Sequence, residues 1–312
     1  MFRIGIDIGG TGIQVGVVDG QGTIIAEESI PTRKDLPFPT QVAQIAQCAR
    51  AAIAAAGLTE DDIESVGIGI PGIGGRNGEI IKCTNMDWNH VPFGAEFAKH
   101  MNKPVHIAND ADVAALAESV AGVSAGTSSS VFITIGTGIG SGIILNGKIW
   151  NGAHGIGGEL GHVILNVGGV PCTCGNHGCL ERYCSATALI RMGREAAEKH
   201  PESLMLKMAG GDLNAIKART VIDSAREKDP TAVKVYRNYI NYFAHAIASV
   251  VNLLDPEVIV LGGGVSNAGD FLLDALREEF PKHVIFRDQP MAELRIAVLG
   301  SRAGIIGAAM LS

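Results

Sequence analysis

Two stretches of this 312-residue chain match one another at a constant offset. Ile4 opens "IGIDIGGTGIQVGVVDGQGTII" and Val131 opens "VFITIGTGIGSGIILNGKIW". Asp7 and Thr134 stand 127 residues apart, as do Gly9 and Gly136, Asp19 and Asn146, and Gly20 and Gly147. Each copy reads as an apolar strand, a glycine-rich bend, a second apolar strand, and then Asp-Gly or Asn-Gly. That dipeptide is a strong short-range hairpin signal. The repeat predicts one hairpin used twice, at the start of each of two related domains. We place the smaller domain at 1–118, joined by a C-terminal helix over 301–312, and the larger at 119–300.

The bends are "DIGGTG" and "IGTGIGSG". Glycine has no Cβ, so backbone N–H groups can come close to an anion and wrap it. One such cluster alone reads as a tight turn. Two equivalent clusters facing one another across a cleft predict a phosphate chain held from both sides, by Gly9, Gly10 and Thr11 and by Gly136, Thr137 and Gly138. The copies differ where the first has Asp7 and the second Thr134. A carboxylate beside a phosphate loop is repulsive unless a cation intervenes, so Asp7 points to Mg²⁺. A third cluster, Gly262, Gly263 and Gly264, follows the strand "VIVL" and precedes the helical pattern "FLLDALREEF". It suits an adenine-ribose unit lying close to backbone, or simply a strand-to-helix turn.

"GIGIPG" (67–72) matches the dinucleotide pattern GxGxxG, but Pro71 and "GIGGRNGE" do not open the amphipathic helix which that pattern requires. No GxxxxGK[ST] occurs. Elsewhere the pattern is α/β. "PTQVAQIAQCARAAIAAAG" has helical spacing at Val42, Ile45, Ala49 and Ile53 and stops at Gly57. "ESVGIGI" and "PVHIA" read as strands, "DADVAALAESVAG" as a helix, and 185–253 as mostly helical with a loop at "AGGD".

A chain that is 46% hydrophobic and 18% charged has the makings of a folded core rather than a disordered chain. Its net charge of −7 argues against nucleic acid or an anionic membrane as partner. The apolar runs are too short and too interrupted to cross a bilayer. The first residues read as a strand, not a signal peptide. Six cysteines without a secretion signal suit reduced thiols, and we expect a cytoplasmic protein.

"HIANDADVAALAE" (106–118) places Asn109, Asp110 and Asp112 where a strand gives way to a helix. One such residue would be a helix cap. Three at the carboxyl end of a strand, where open α/β sheets bind ligands, point to a site. A helix N-terminus keeps a carboxylate ionised, which suits Asp110 as the base accepting a hydroxyl proton. Asn109 would hold a neighbouring hydroxyl, and Asp112 would complete the cap. Further on, "ELGHVILNVGGVPCTCGNHGCLER" (159–182) gathers Cys172, Cys174 and Cys179 downstream of His162. On chemistry alone this is a Cys₃His zinc set, with His177 and Cys184 as other candidate ligands.

In order, "DIGGT", "NDAD", "IGTGIGSG", "HGIGGELGH", "CTCGNHGCLE" and "LGGGV" resemble the ROK family of sugar kinases and repressors over essentially the whole chain. The glucokinase-like subgroup is the most similar. The resemblance implies a two-domain actin-like ATPase fold of the hexokinase–actin kind, α/β, with mixed sheets flanked by helices and a cleft between the domains. It implies phosphoryl transfer from ATP to the 6-hydroxyl of a hexose, with Asp110 as the base. By the same resemblance Asn109, Glu159, His162 and Glu181 contact sugar hydroxyls, and Thr84 and Asn85 lie in a stretch that reaches the sugar in some relatives. It selects His162 with Cys172, Cys174 and Cys179 for a structural zinc, which would brace Glu159 and Glu181. The family often forms homodimers. Asp112 stands where the family more often has asparagine. Kinases for N-acetylglucosamine, N-acetylmannosamine, mannose, allose or fructose share this apparatus, and a non-catalytic sugar sensor is the remaining reading. With the first hairpin beginning at residue 4, no recognition helix for DNA is expected.

Overall fold

The computed structural model describes residues 1–75 and 78–311. Arg76 and Asn77, in the stretch after "GIGIPG", and Ser312, at the end of the expected last helix, lie outside them. The chain forms two compact units. One comprises residues 1–132, 142–158 and the return of the chain from Val298; the other comprises 133–141 and 159–297. Residue 118 falls inside a helix that stays with the first unit, which runs on to Phe132.

The first unit contains strands β1 (Phe2–Ile8), β2 (Gly12–Asp19), β3 (Ile24–Pro31), β4 (Ile63–Ile70), β5 (Gly72–Gly74), β6 (Ile80–Cys83), β7 (Trp88–Val91) and β8 (Val105–Asn109). Its helices are α1 (Phe38–Ala55), α2 (Phe93–Ala98) and α3 (Asp110–Ala121). Strands β9 (Ser129–Ile135) and β10 (Ile139–Leu145) are cut by the unit boundary, and β11 (Lys148–Ile149) follows. The second unit holds α4 (Glu181–Cys184), α5 (Ala186–Lys199), α6 (Leu204–Met208), α7 (Ala218–Arg226), α8 (Pro230–Leu254), β12 (Val258–Gly262), α9 (Asp270–Glu279) and β13 (Glu293–Ile296). Helix α10 (Ala303–Ala309) belongs to the first unit.

The repeat read from the sequence extends to whole sheets. One has strand order β3-β2-β1-β4-β8 and the other β11-β10-β9-β12-β13. In each, a hairpin and a third strand are followed by two strands added on the far side. In the first sheet, β1 and β2 pair antiparallel from Phe2↔Asp19 to Ile8↔Ile13, and β4 and β8 add in parallel. The second Asn-Gly closes a two-residue turn, with Leu145 opposite Lys148. The first Asp-Gly does not. There Asp19 accepts hydrogen bonds from Gln21 and Thr23 and organises a longer turn. "GIGIPG" runs from β4 into β5 without opening a helix.

The apolar spacing read in α1 is the buried stripe. Val42, Ile45, Ala49 and Ile53 pack with Ile4, Ile6, Val15 and Ile68 of the sheet. Helix α10 covers the strands' other face, and glycine lets it come close. A Cβ built at Gly5 would lie 1.9 Å from the Ile305 carbonyl oxygen, and one at Gly67 1.7 Å from that of Ala308. The returning segment is also tied down by Glu118, which is 1% exposed. Its carboxylate accepts from the backbone N–H groups of Val123 (2.9 Å), Val298 (2.9 Å) and Leu299 (3.0 Å). A buried carboxylate needs partners of this kind to offset its lost hydration. In the second unit, α8 starts at Asp229, which caps Ala232 with Pro230 in the first turn, and buries Tyr239, Phe243 and Ile247. No helix among the described residues is long and apolar enough to cross a membrane.

Candidate functional site

The candidate site residues fall into two groups, each gathered within its own unit. In the first unit, the turn after β1 is closed by the Gly9 N–H donating to the Gly12 carbonyl at 3.0 Å. It is pinned by Thr32, whose hydroxyl donates to the Gly9 carbonyl at 2.8 Å. Asp7, Gly9, Thr11 and Gly12 line a cavity of about 470 Å³. The Asn85 side chain lies beside Gly10, while the Thr84 hydroxyl donates to the Pro71 carbonyl at 3.3 Å.

Asp110 is the first residue of α3, at the end of β8, and the Ala111 N–H donates to its Oδ1 at 2.9 Å. Asn109 is the N-cap, and its amide is used at both ends. Oδ1 accepts from the Ala111 N–H at 2.8 Å and Nδ2 donates to the Gly72 carbonyl at 3.1 Å. Such a cap contributes about 0.5–2 kcal/mol, so Asn109 orients the start of α3 whatever else it touches. Asp112, two residues on in the same first turn, is buried.

Asp7 and Asp110 stand near enough to feel one another. Burial pushes the Asp7 carboxyl up to about 6, and the Asp110 charge adds to it. Asp7's own cover is α10: a Cβ at Gly304 would lie 2.2 Å from Oδ2. The sequence reading missed Gly304, because nothing local to "SRAGIIG" shows which strand the helix meets. Gly304→Ala is expected to displace the Asp7 carboxylate while the chain still folds. A crystal structure of the variant beside a melting curve would check this, and an unmoved carboxylate would refute it.

In the second unit, the turn after β9 has the length of the first but closes one residue sooner. The Gly136 N–H donates to the Gly138 carbonyl at 3.0 Å, and the Thr187 hydroxyl donates to the Thr137 carbonyl at 2.7 Å. Thr32 and Thr187 thus brace equivalent turns, a pairing invisible in the repeat because the threonines lie outside it. Gly263 packs so tightly on β9 that a Cβ would sit 2.6 Å from the Ile135 backbone nitrogen. The third glycine cluster therefore borders the second turn. Beside it, Ile222, Arg226, Gly264 and Val265 line a cavity of about 290 Å³.

Glu181, at the head of α4, accepts the Ile139 N–H through Oε2 at 3.1 Å. Glu159 is exposed and precedes the short turn Leu160–His162. That turn is joined to the cysteine loop through an antiparallel bridge of Ile164 with Cys179 and through the Leu180 N–H donating to the Val163 carbonyl at 2.8 Å. Here the ligand atoms of His162, Cys172, Cys174 and Cys179 all lie within 4.8 Å of one another. Cys184 and His177 do not join this group. Cys184 is buried under α8, its carbonyl accepting the Tyr239 hydroxyl at 2.7 Å.

The donor set fits zinc. With Zn–S about 2.3 Å and Zn–N about 2.0 Å, a tetrahedral ion holds its ligand atoms roughly 3.5–3.8 Å apart. His162 Nδ1 is 3.8 Å from the Cys172 sulfur, and the Cys174 and Cys179 sulfurs are 3.6 Å apart. Burial, with the neighbouring thiols adding, pushes the Cys179 thiol up to about 12. A bound cation reverses that by favouring the thiolate.

The ROK family's sequence profile matches residues 3–312. The chain is similar to the glucokinase of Halalkalibacterium halodurans, at 36% identity over 98% of this chain and 93% of that one. It is also similar to the glucokinase of Streptomyces coelicolor, at 34% identity over 100% and 97%. Among solved structures, a ROK family glucokinase from Streptomyces griseus in complex with glucose and AMPPNP superposes with a TM-score of 0.78. Its identity is 34%, with 99% of this chain and 98% of that one covered.

Proposed function

This chain belongs to the ROK family, and we propose that it is an ATP-dependent kinase that phosphorylates the 6-hydroxyl of glucose. The observation that carries the reading is Asp110 at the N-terminus of α3 beside Asp7 and the first glycine turn, in a chain similar along nearly its whole length to glucokinases.

The chemistry follows from these side chains. Asp110, ionised at a helix N-terminus, accepts the proton of the 6-hydroxyl as that oxygen attacks the γ-phosphorus. The backbone N–H groups of Gly9, Gly10 and Thr11, and of Gly136, Thr137 and Gly138, hold the phosphates. Gly262, Gly263 and Gly264 lie along the adenosine. Asp7 would hold Mg²⁺, which, when bound, neutralises phosphate charge. Asn109, Glu159, His162 and Glu181 contact the sugar hydroxyls, with Thr84 and Asn85 at the edge of the sugar. With Nδ1 turned to the sulfurs, His162 keeps Nε2 for a hydroxyl. His162, Cys172, Cys174 and Cys179 would hold a structural zinc, and with four protein ligands that ion has no open position for catalysis. We place the protein in the cytoplasm as a homodimer, which light scattering would check.

The test is ADP release from MgATP across glucose, mannose, fructose, allose, N-acetylglucosamine and N-acetylmannosamine. A kcat/KM highest for glucose is expected. Preference for another sugar would keep the chemistry and move the substrate, and no stimulation by any sugar would end the kinase reading.

The raised Asp7 pKa makes a second expectation, on stability in magnesium-free protein. A carboxyl at about 6 when folded, against 3.8 as its ordinary value, binds its proton more tightly in the native state. Its contribution to stability is fully present below 3.8 and is lost as pH rises through 6. Asp7→Asn should therefore raise the melting temperature above wild type at pH 8, with the gain shrinking toward pH 4. Thermal melts across that range, showing a constant difference, would refute it.

A further inference from the structure

Strand β8 has two unlike faces, because side chains alternate along a strand. Val105 and Ile107 pack against the apolar cluster that contains Phe93 and Phe97. His106 and Ala108 fall on the other face. Beside the strand, with Val105, Ile107, Leu116 and Leu311 also bordering it, lies a cavity of about 430 Å³ that takes in His106, Lys148 and Asn151. Its volume is within the range of small-molecule sites, roughly 300–1,000 Å³.

The charge of this cavity runs against that of the chain. The protein carries 32 acidic residues against 25 basic, yet among the described residues no Asp or Glu lines it. Among the described residues, the His106 and Lys148 side chains have no hydrogen-bond or ion-pair partner. An ammonium group, an imidazole and an amide around a polar void favour a small anion that also carries hydroxyls. Lysine binds phosphate as a point charge, and amide and imidazole groups bond hydroxyls. The cavity also lies on the strand that delivers the base: Ala108 is followed by Asn109, the cap of α3, and by Asp110.

We propose that this cavity is a regulatory site for the phosphate monoester of a small polyol, held by Lys148 and His106 and felt at Asp110 through β8. The binding half stands alone. The regulatory half rests on the kinase reading above.

Calorimetric titration of the full chain tests it, with glucose and a non-hydrolysable ATP analogue saturating. The probes are glucose 6-phosphate and inorganic phosphate. Binding is expected in wild type and in Asp110→Asn, and at least tenfold weaker in Lys148→Met and His106→Gln. Both of those variants should turn over like wild type when no phosphate ester is added. Binding of both probes supports the site with phosphate as its main determinant, and binding of the sugar ester alone supports it with the polyol recognised too. No binding of either, or unchanged affinity in both cavity variants, overturns it. Binding that leaves kcat and KM unmoved overturns the regulatory half. Should no sugar support turnover, the kinase reading falls while the titration still reports on the cavity.

Discussion

Asp110→Asn is expected to lower kcat by roughly 10²–10⁴-fold, the usual worth of a general base, with little change in affinity for glucose. The substitution keeps the shape of the side chain and an oxygen for the Ala111 N–H, which now lies 2.9 Å from Oδ1. What it removes is the capacity to take a proton. It also removes the charge that helps hold the Asp7 carboxyl up at about 6, so the Asp7 titration should move down in the variant. Steady-state kinetics, direct glucose binding and the pH profile of stability together test the assignment. Equal loss of binding and turnover, or a collapsed melting temperature, would mean that Asp110 builds the start of α3 and not the reaction.

The second large effect concerns the cysteine loop. Cys179→Ser should reduce bound zinc from one per chain to near zero, lower the melting temperature and raise the KM for glucose. The reason is local. The loop carries glycines at 168, 169, 175 and 178, and Val167 is 92% exposed, so little apolar burial orders it. Structural zinc contributes about 10–16 kcal/mol in isolated metal-binding peptides. Even a fraction of that outweighs any other interaction in the segment. A zinc bound here would be the common anchor of His162 and the head of α4, and its loss would free the spacing of Glu159 and Glu181. Elemental analysis beside hydrogen exchange over 160–182 gives the check. Full activity in metal-free protein would remove the structural role.

What was legible in the sequence was what short-range chemistry dictates. The two hairpins showed because glycine bends and Asx-Gly pairs recur at one offset, and α1 because its buried stripe is periodic. The cysteines showed by type and spacing. The choice among His162, His177 and Cys184 was not local. Family resemblance was needed to favour His162, because the answer depends on a bridge between Ile164 and Cys179 and on α8 lying over Cys184. Asn109 shows the converse. Its place before a helix was clear, but that both ends of its amide serve the fold required Gly72, 37 residues away in sequence. Glu118 carried no signal at all. A glutamate in an alanine-rich helix reads as surface until the segment after β13 arrives at Val298 to meet it.

That late arrival orders events during translation. The first unit emerges from the ribosome with the α10 face of its sheet bare, and Gly5 and Gly67 leave a trough there rather than a ridge. Every residue of the second unit must be polymerised before Val298 can reach Glu118 and α10 can fill that trough. The packing of the amino-terminal strands therefore cannot be completed until Val298 and α10 have been made. Until then Asp7 lacks the cover of Gly304, so the surroundings of the first glycine turn are finished last although its residues were made first.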